Sequence, residues 1–312
     1  MTHLRLGICP WIQATDWPGL LETARRVDRL GYDHLWCWDH LYAIYGDPYQ
    51  PIFEGWTTLG AWAVATEHVR LGLLVGANTF RNPGIVAKSA ATLDHASGGR
   101  AIVGLGGAWF GLEHEAHGLD FGSGFGQRLD WLDEATGIVR ALLDGREVTH
   151  HGERYRFEAA RHQPPPLQRH LPIMIGGSGE KKTLRTVARY ADLWNAFGTP
   201  DELRHKVEVL GEHCVAVGRD PATIERTLGC KLVIRDSESA ARQVWDAALT
   251  HNRTPLDIDE EPWLGPPEAI AERLRAYAET GFQTLIVELP APYDVETLER
   301  LIGEVKPLVE AP

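Results

Sequence analysis

Several things are scarce in this 312-residue chain, and each scarcity closes a door. No apolar run approaches the roughly 18 residues needed to span a bilayer, so no membrane-spanning helix is expected. The opening MTHLRLGICPW has no basic stretch followed by an apolar one, so it does not read as a signal peptide. There are four cysteines (Cys9, Cys37, Cys214 and Cys230) with no CxxC spacing. That is the pattern of reduced thiols in a cytoplasmic protein rather than of a disulfide framework. Basic residues are outnumbered, 31 against 43 acidic, for a net charge of −12. Such a field repels a phosphate backbone and argues against nucleic acid as the main ligand. Methionine is rare (2), whereas tryptophan is plentiful (11), which suits flat, rigid walls in a core or a pocket.

What is present is an alternation of short apolar runs and amphipathic helices. Strand-like runs fall at 4–11, 32–40, 69–77, 100–109, 172–179, 193–198, 229–235 and 282–290. Between them lie helical patterns with recognisable starts: Asp16 before an apolar stripe of Leu20, Leu21, Ala24, Val27 and Leu30, Asn82-Pro83, and Pro266-Pro267. Eight strands each followed by helix is the arithmetic of a (β/α)8 barrel, here predicted as one domain over 1–312. A doubly wound sheet would want GxGxxG after the first strand, and ICPWIQAT offers nothing of the kind. The stretches 110–127 and 146–171 read as loop insertions between the fourth and fifth strands.

In a barrel, chemistry sits at the C-terminal strand ends. Trp38, Asp39 and His40 end the second strand, and an imidazole there exchanges a proton, binds a ligand or merely bonds to a loop carbonyl. Gly76 ends the third strand, as a close approach or a simple bend. Gly104, Gly106 and Gly107, followed by Ala108 and Trp109, end the fourth; they suit clearance for a flat ring better than a pyrophosphate turn. Gly176, Gly177, Ser178 and Gly179 follow the fifth strand into a helix, with Lys181 and Lys182 close behind. Successive amides at a helix start make an anion cradle, an ordinary tight turn being the plainer alternative. Glu113, His114, Glu115 and His117 lack HExxH spacing, His150, His151, His162 and His170 read as exposed loop residues, and no GxSxG is present. No metal site is expected.

Taken together, WDH (38–40), TFRNPGIVAKSAATLDHASGGR (79–100), VGLGGAWFGLEHEAHG (103–118), ERYRF (153–157), PIMIGGSGEKKTLRTVARYADLWN (172–195) and GRDP (218–221) resemble the luciferase-like monooxygenase superfamily over nearly the whole chain. Within it the chain resembles the F420-dependent oxidoreductases. The resemblance implies a deazaflavin, coenzyme F420, at the barrel mouth, with FMN as the alternative cofactor. It implies that Asp39 lies beside the ring, that Gly106 and Gly107 give backbone contacts, and that Gly176, Gly177, Ser178 and Gly179 receive the phosphate. It also implies a non-proline cis bond between Leu74 and Val75, bulging under the ring. His40 becomes the proton donor or acceptor, while Trp109, Trp38 and Phe80 shape the substrate side. A small organic substrate and a homodimer complete the expectation. The rival readings are an FMN-dependent monooxygenase and, in another class, a non-redox phosphate-ligand-binding barrel. One departure stands out: F420-dependent sugar-phosphate dehydrogenases carry an acid directly after the fourth-strand glycines, where this chain has Ala108 and Trp109.

Overall fold

In a computed structural model that describes residues 4–256 and 261–311, helices and strands alternate along the whole chain. Strand β1 (Arg5–Pro10) leads to α1 (Trp17–Arg29), β2 (His34–Cys37) to α2 (Gly55–Ala65), and the interrupted β3 (Arg70–Leu73) and β4 (Gly76–Ala77) to α3 (Pro83–Ala96). Strand β5 (Ala101–Gly106) is followed by α4 (Gly111–His117), α5 (Phe125–Leu143), and a hairpin of β6 (Val148–His151) and β7 (Arg156–Ala160). Then come β8 (Ile173–Gly176), α6 (Thr183–Tyr190), β9 (Leu193–Ala196) and α7 (Pro200–Ala216). The last part holds β10 (Glu225–Cys230), β11 (Leu232–Ile234), α8 (Glu238–His251), β12 (Trp263–Gly265), α9 (Pro267–Ala278) and β13 (Thr284–Leu289). It ends in α10 (Val295–Arg300), which passes through a π-helical turn into α11 (Lys306–Glu310).

The strands pair in the order β3-β2-β1-β13-β10-β9-β8-β5, and a β3–β5 pairing closes the ring. All of these pairings are parallel. The result is the closed (β/α)8 barrel. Its strands are buried on both faces, as a parallel sheet covered by helices requires. The helix starts obey local chemistry: Asp16 accepts from the Gly19 amide and Asn82 from the Gly84 amide. Thr199 and Glu202 form a reciprocal capping box for α7.

Four expectations need correction. The run 69–77 is two strands, broken where the Leu74–Val75 peptide is cis, as the resemblance implied. The seventh barrel strand is Glu225–Cys230 rather than 229–235, because Leu232–Ile234 leaves the barrel to pair with β12. Polar residues hid its start: Glu225 accepts a hydrogen bond from Thr284, and Thr227 sits against Asn195. Neither insertion is a bare loop: 110–127 holds α4 and the start of α5, and 146–171 holds the β6–β7 hairpin. The fifth-strand loop enters its helix at Thr183, so Lys181 and Lys182 belong to the approach. The loop before Pro266 falls partly on residues 257–260, outside the described residues.

Candidate active site

The C-terminal ends of the strands surround a cavity of about 320 Å³, at the small end of the roughly 300–1,000 Å³ of small-molecule sites. Trp38, Asp39, His40, Leu74, Val75, Gly106, Gly107, Trp109, Gly176 and Gly177 all line it, so residues far apart in sequence meet here. Ser178 and Gly179 continue the β8 loop toward Thr183.

The third-strand bulge explains the glycines around it. A Cβ on Gly104 would fall on the Leu73 carbonyl oxygen. One on Gly106 would come 2.5 Å from Val75 Cγ2, and one on Gly176 2.9 Å from the same atom. Gly104, Gly106 and Gly176 therefore make room for the chain's own bulge. Of the fourth-strand glycines, the bulge thus accounts for Gly104 and Gly106, whereas a Cβ on Gly107 would meet Leu129 Cδ2 at 2.9 Å. Asp39 holds the other side of the bulge. Its Oδ2 accepts from the Ala77 amide at 2.9 Å and from Arg81 Nη1 at 2.7 Å, and Arg81 also reaches Glu54 at 2.7 Å. Burial pushes the Asp39 carboxyl up from its ordinary value, against the pull of Arg81 and the Ala77 amide. Asp39 lines the cavity while engaged in shaping it.

His40 is held by a residue that sequence reasoning passed over. Glu113, 1% exposed, sits in the first turn of α4. Its Oε1 lies 3.0 Å from His40 Nδ1, and its Oε2 accepts the Leu41 amide at 2.8 Å. A carboxylate accepts, so in this pair Nδ1 carries the proton and Nε2 is the ring nitrogen outside the pair. Glu113 lies four positions beyond Trp109, on the helix that follows the fourth-strand glycines. The signal in the sequence is an acidic residue in a helical first turn inside LEHEAHG. His114 is structural: Nδ1 donates to the Phe110 carbonyl, so Nε2 accepts from Thr79. Among the described residues, no group of three or more His, Cys, Asp or Glu is placed to hold a metal ion.

Trp109 is 60% exposed at the rim, with its ring edge-on to His40 at 5.6 Å. Trp38 is buried on the cavity wall, against Trp11. Phe80 packs on His114 and does not line the cavity, contrary to expectation. His162 is buried rather than exposed, while His150, His151 and His170 pair with Glu134, Glu158 and Asp192.

In the β8 loop, the Gly177 amide donates to the Asn195 carbonyl, and its φ of +121° is a left-handed conformation that side chains resist. That bond occupies the Gly177 amide; Ser178 and Gly179 lie beyond the cavity lining, and α6 starts without a side-chain cap. Nearby, Lys206 donates to the Ser178 carbonyl at 3.2 Å, and Lys182 pairs with Asp130 at 2.6 Å.

Tyr45, Asn195, Phe197 and Glu288 also line the cavity and were not anticipated. Glu288 is a single acid inside the apolar strand TLIVEL, a signal readable in advance.

A family model described as luciferase-like monooxygenase matches residues 8–263. The chain belongs to that family. A Mycobacterium tuberculosis protein of uncharacterised function is 34% identical over 174 residues, covering 56% of this chain and 60% of that protein. The chain thus spans about three fifths of that relative's length. An F420-dependent glucose-6-phosphate dehydrogenase of Microbacterium testaceum is 27% identical over 312 residues, covering 91% of each chain. Among solved structures, an F420-dependent secondary alcohol dehydrogenase in complex with an F420–acetone adduct superposes with a TM-score of 0.85, at 23% identity over 99% of both chains. At that identity the likeness establishes the fold. No helix among the described residues is long and apolar enough to cross a membrane.

Proposed function

We propose that this protein is an F420-dependent oxidoreductase that moves a hydride between the deazaflavin and a small organic substrate. The observation that carries the reading is the Glu113–His40 pair, set at the edge of a cavity whose facing wall is largely backbone. The F420-dependent relative matched over 91% of both chains supports it.

The residues present fit a flat, phosphate-bearing group. Gly106 and Gly176 have no side chain, and the space a Cβ would take is occupied by Val75, which also lines the cavity. Leu74 and Val75 would support one ring face, with Asp39 and Arg81 holding the bulge in place. Gly106, Gly107, Gly176 and Gly177 would meet the ring edge through backbone, and Ser178, Gly179 and the α6 start would take the phosphate. When bound, the deazaflavin supplies a two-electron hydride carrier at a ring carbon. His40 would exchange the accompanying proton through Nε2, while Glu113 keeps the proton on Nδ1 and the ring oriented. Trp109 at the rim and Trp38 on the wall would narrow the mouth against water. The family's description as monooxygenase favours a second reading, FMN with oxygen as co-substrate, in the same cavity.

Titrating the purified protein with F420 and with FMN, followed by absorbance and fluorescence, separates the readings. Binding of F420 supports the first. Tight FMN binding without deazaflavin binding replaces it with the second, and binding of neither returns the non-redox barrel.

A further inference from the structure

Three carboxylates line the cavity. Asp39 is engaged by the Ala77 amide and Arg81, and Glu113 by His40 and the Leu41 amide. The third, Glu288 near the end of β13, takes part in neither arrangement. Its Oε2 lies 3.4 Å from Lys231 Nζ, and the two side chains are 9% and 1% exposed. Lys231 follows β10 and is not on the cavity wall, so the pair turns its negative end inward. The ammonium stands 5.5 Å from the Tyr45 ring, which is itself stacked on Trp11 at 4.3 Å. A carboxylate has about four lone-pair sites, so it can accept a further donor while paired. Taking both charges out of water makes such a pair a weak source of stability, and well-packed apolar residues would serve a core as well. Position supplies a chemical use. Glu288 is in register with Cys9 of β1, and β1 pairs with β2, whose extension carries His40. The acid and the imidazole therefore share one arc of the mouth, across from the glycines of β5 and β8.

Resting on the oxidoreductase reading above, we infer that Glu288, backed by Lys231, is the substrate-recognition group: it accepts a hydrogen bond from a hydroxyl or amine of an uncharged or cationic substrate and turns away carboxylates and phosphates. Discrimination against an anion comes from placing like charges together in a confined, poorly hydrated site.

The test measures binding of size-matched alcohols, amines, carboxylates and phosphate monoesters to the cofactor-loaded protein, by calorimetry. In the wild type, the alcohols or amines bind at least about tenfold more tightly than the anions. In Glu288→Gln the ratio falls to within about threefold, while cofactor affinity holds. If the lone buried ammonium prevents folding, Lys231→Met/Glu288→Gln removes both charges and the same collapse of the ratio is expected. An unchanged ratio, no binding of any alcohol or amine, or loss of cofactor binding in a folded variant overturns the inference. If only FMN loads the protein, the cofactor reading falls and the ratio is read on the FMN-loaded form, so the two claims fail separately.

Discussion

The two arcs of the barrel mouth are built by opposite means. Along β3–β5–β8 the wall is made by leaving side chains out: Gly104, Gly106 and Gly176 yield their space to the Leu73–Val75 bulge. Along β13–β1–β2 it is made by adding charges and holding each one: Glu288 with Lys231, His40 with Glu113. On the reading proposed above, the first arc would offer shape and backbone to a flat group, and the second would offer proton exchange and polarity to whatever reacts with it. Asp39 stands between them, on the β2 extension yet bonded to the bulge. Cofactor affinity and turnover should therefore separate by arc.

The sharpest separation is expected at His40. His40→Ala should lower turnover by about 10²–10⁴-fold, the scale of a general acid or base, while leaving cofactor affinity nearly unchanged. Equal losses in both would merge the two arcs into one. On the glycine side, Gly104→Ala drives a methyl onto the Leu73 carbonyl, and backbone cannot swing aside as a side-chain tip does. We expect destabilisation of about 3 kcal/mol, read from denaturant midpoints. Glu113→Gln keeps the shape but leaves the Leu41 amide or the imidazole without its acceptor. Turnover should fall about 10- to 100-fold with little change in KM, and the pH–rate profile should shift. A loss confined to KM would make Glu113 a substrate contact. Ser178→Asp sets a negative charge in the proposed phosphate cradle. Cofactor affinity should weaken about tenfold at constant Tm, since a like charge near the anion costs about this much.

His34, at the other end of β2, serves as a control for both arcs, with no effect expected on cofactor binding. Burial, aided by Arg70 and Arg5, holds the His34 imidazole down at about 3. The unfolded chain takes up that proton near 6.5, so folding stability is fully present above that pH and is lost as pH falls toward 3. The slope is at most about 1.4 kcal/mol per pH unit. His34→Gln should flatten the fall in denaturant midpoint between pH 6 and pH 4 and leave cofactor affinity at pH 7 unchanged.

Much of this was already local information. The alternation of apolar runs and capped helices determined the barrel, because strand burial and helix starts are set by residues close in sequence: Asp16, Asn82 and Thr199 cap the helices they precede. The motif pattern determined the family, and with it the strand ends that form the cavity. Sequence alone also marked His40, Trp109 and the paired glycines as candidates by their places at those ends. What it did not contain were partners. Glu113 is far from His40 along the chain, and only the fold of α4 over the mouth brings the acid to the imidazole. Glu288 meets Lys231 because β13 and β10 are neighbours in the closed ring. The reason for Gly104 and Gly106 lay in another strand altogether, at Leu73 and Val75. Capping and periodicity act over a few residues and are legible in order. Charge pairing and steric exclusion act through space, and the tertiary structure alone decided which groups would meet.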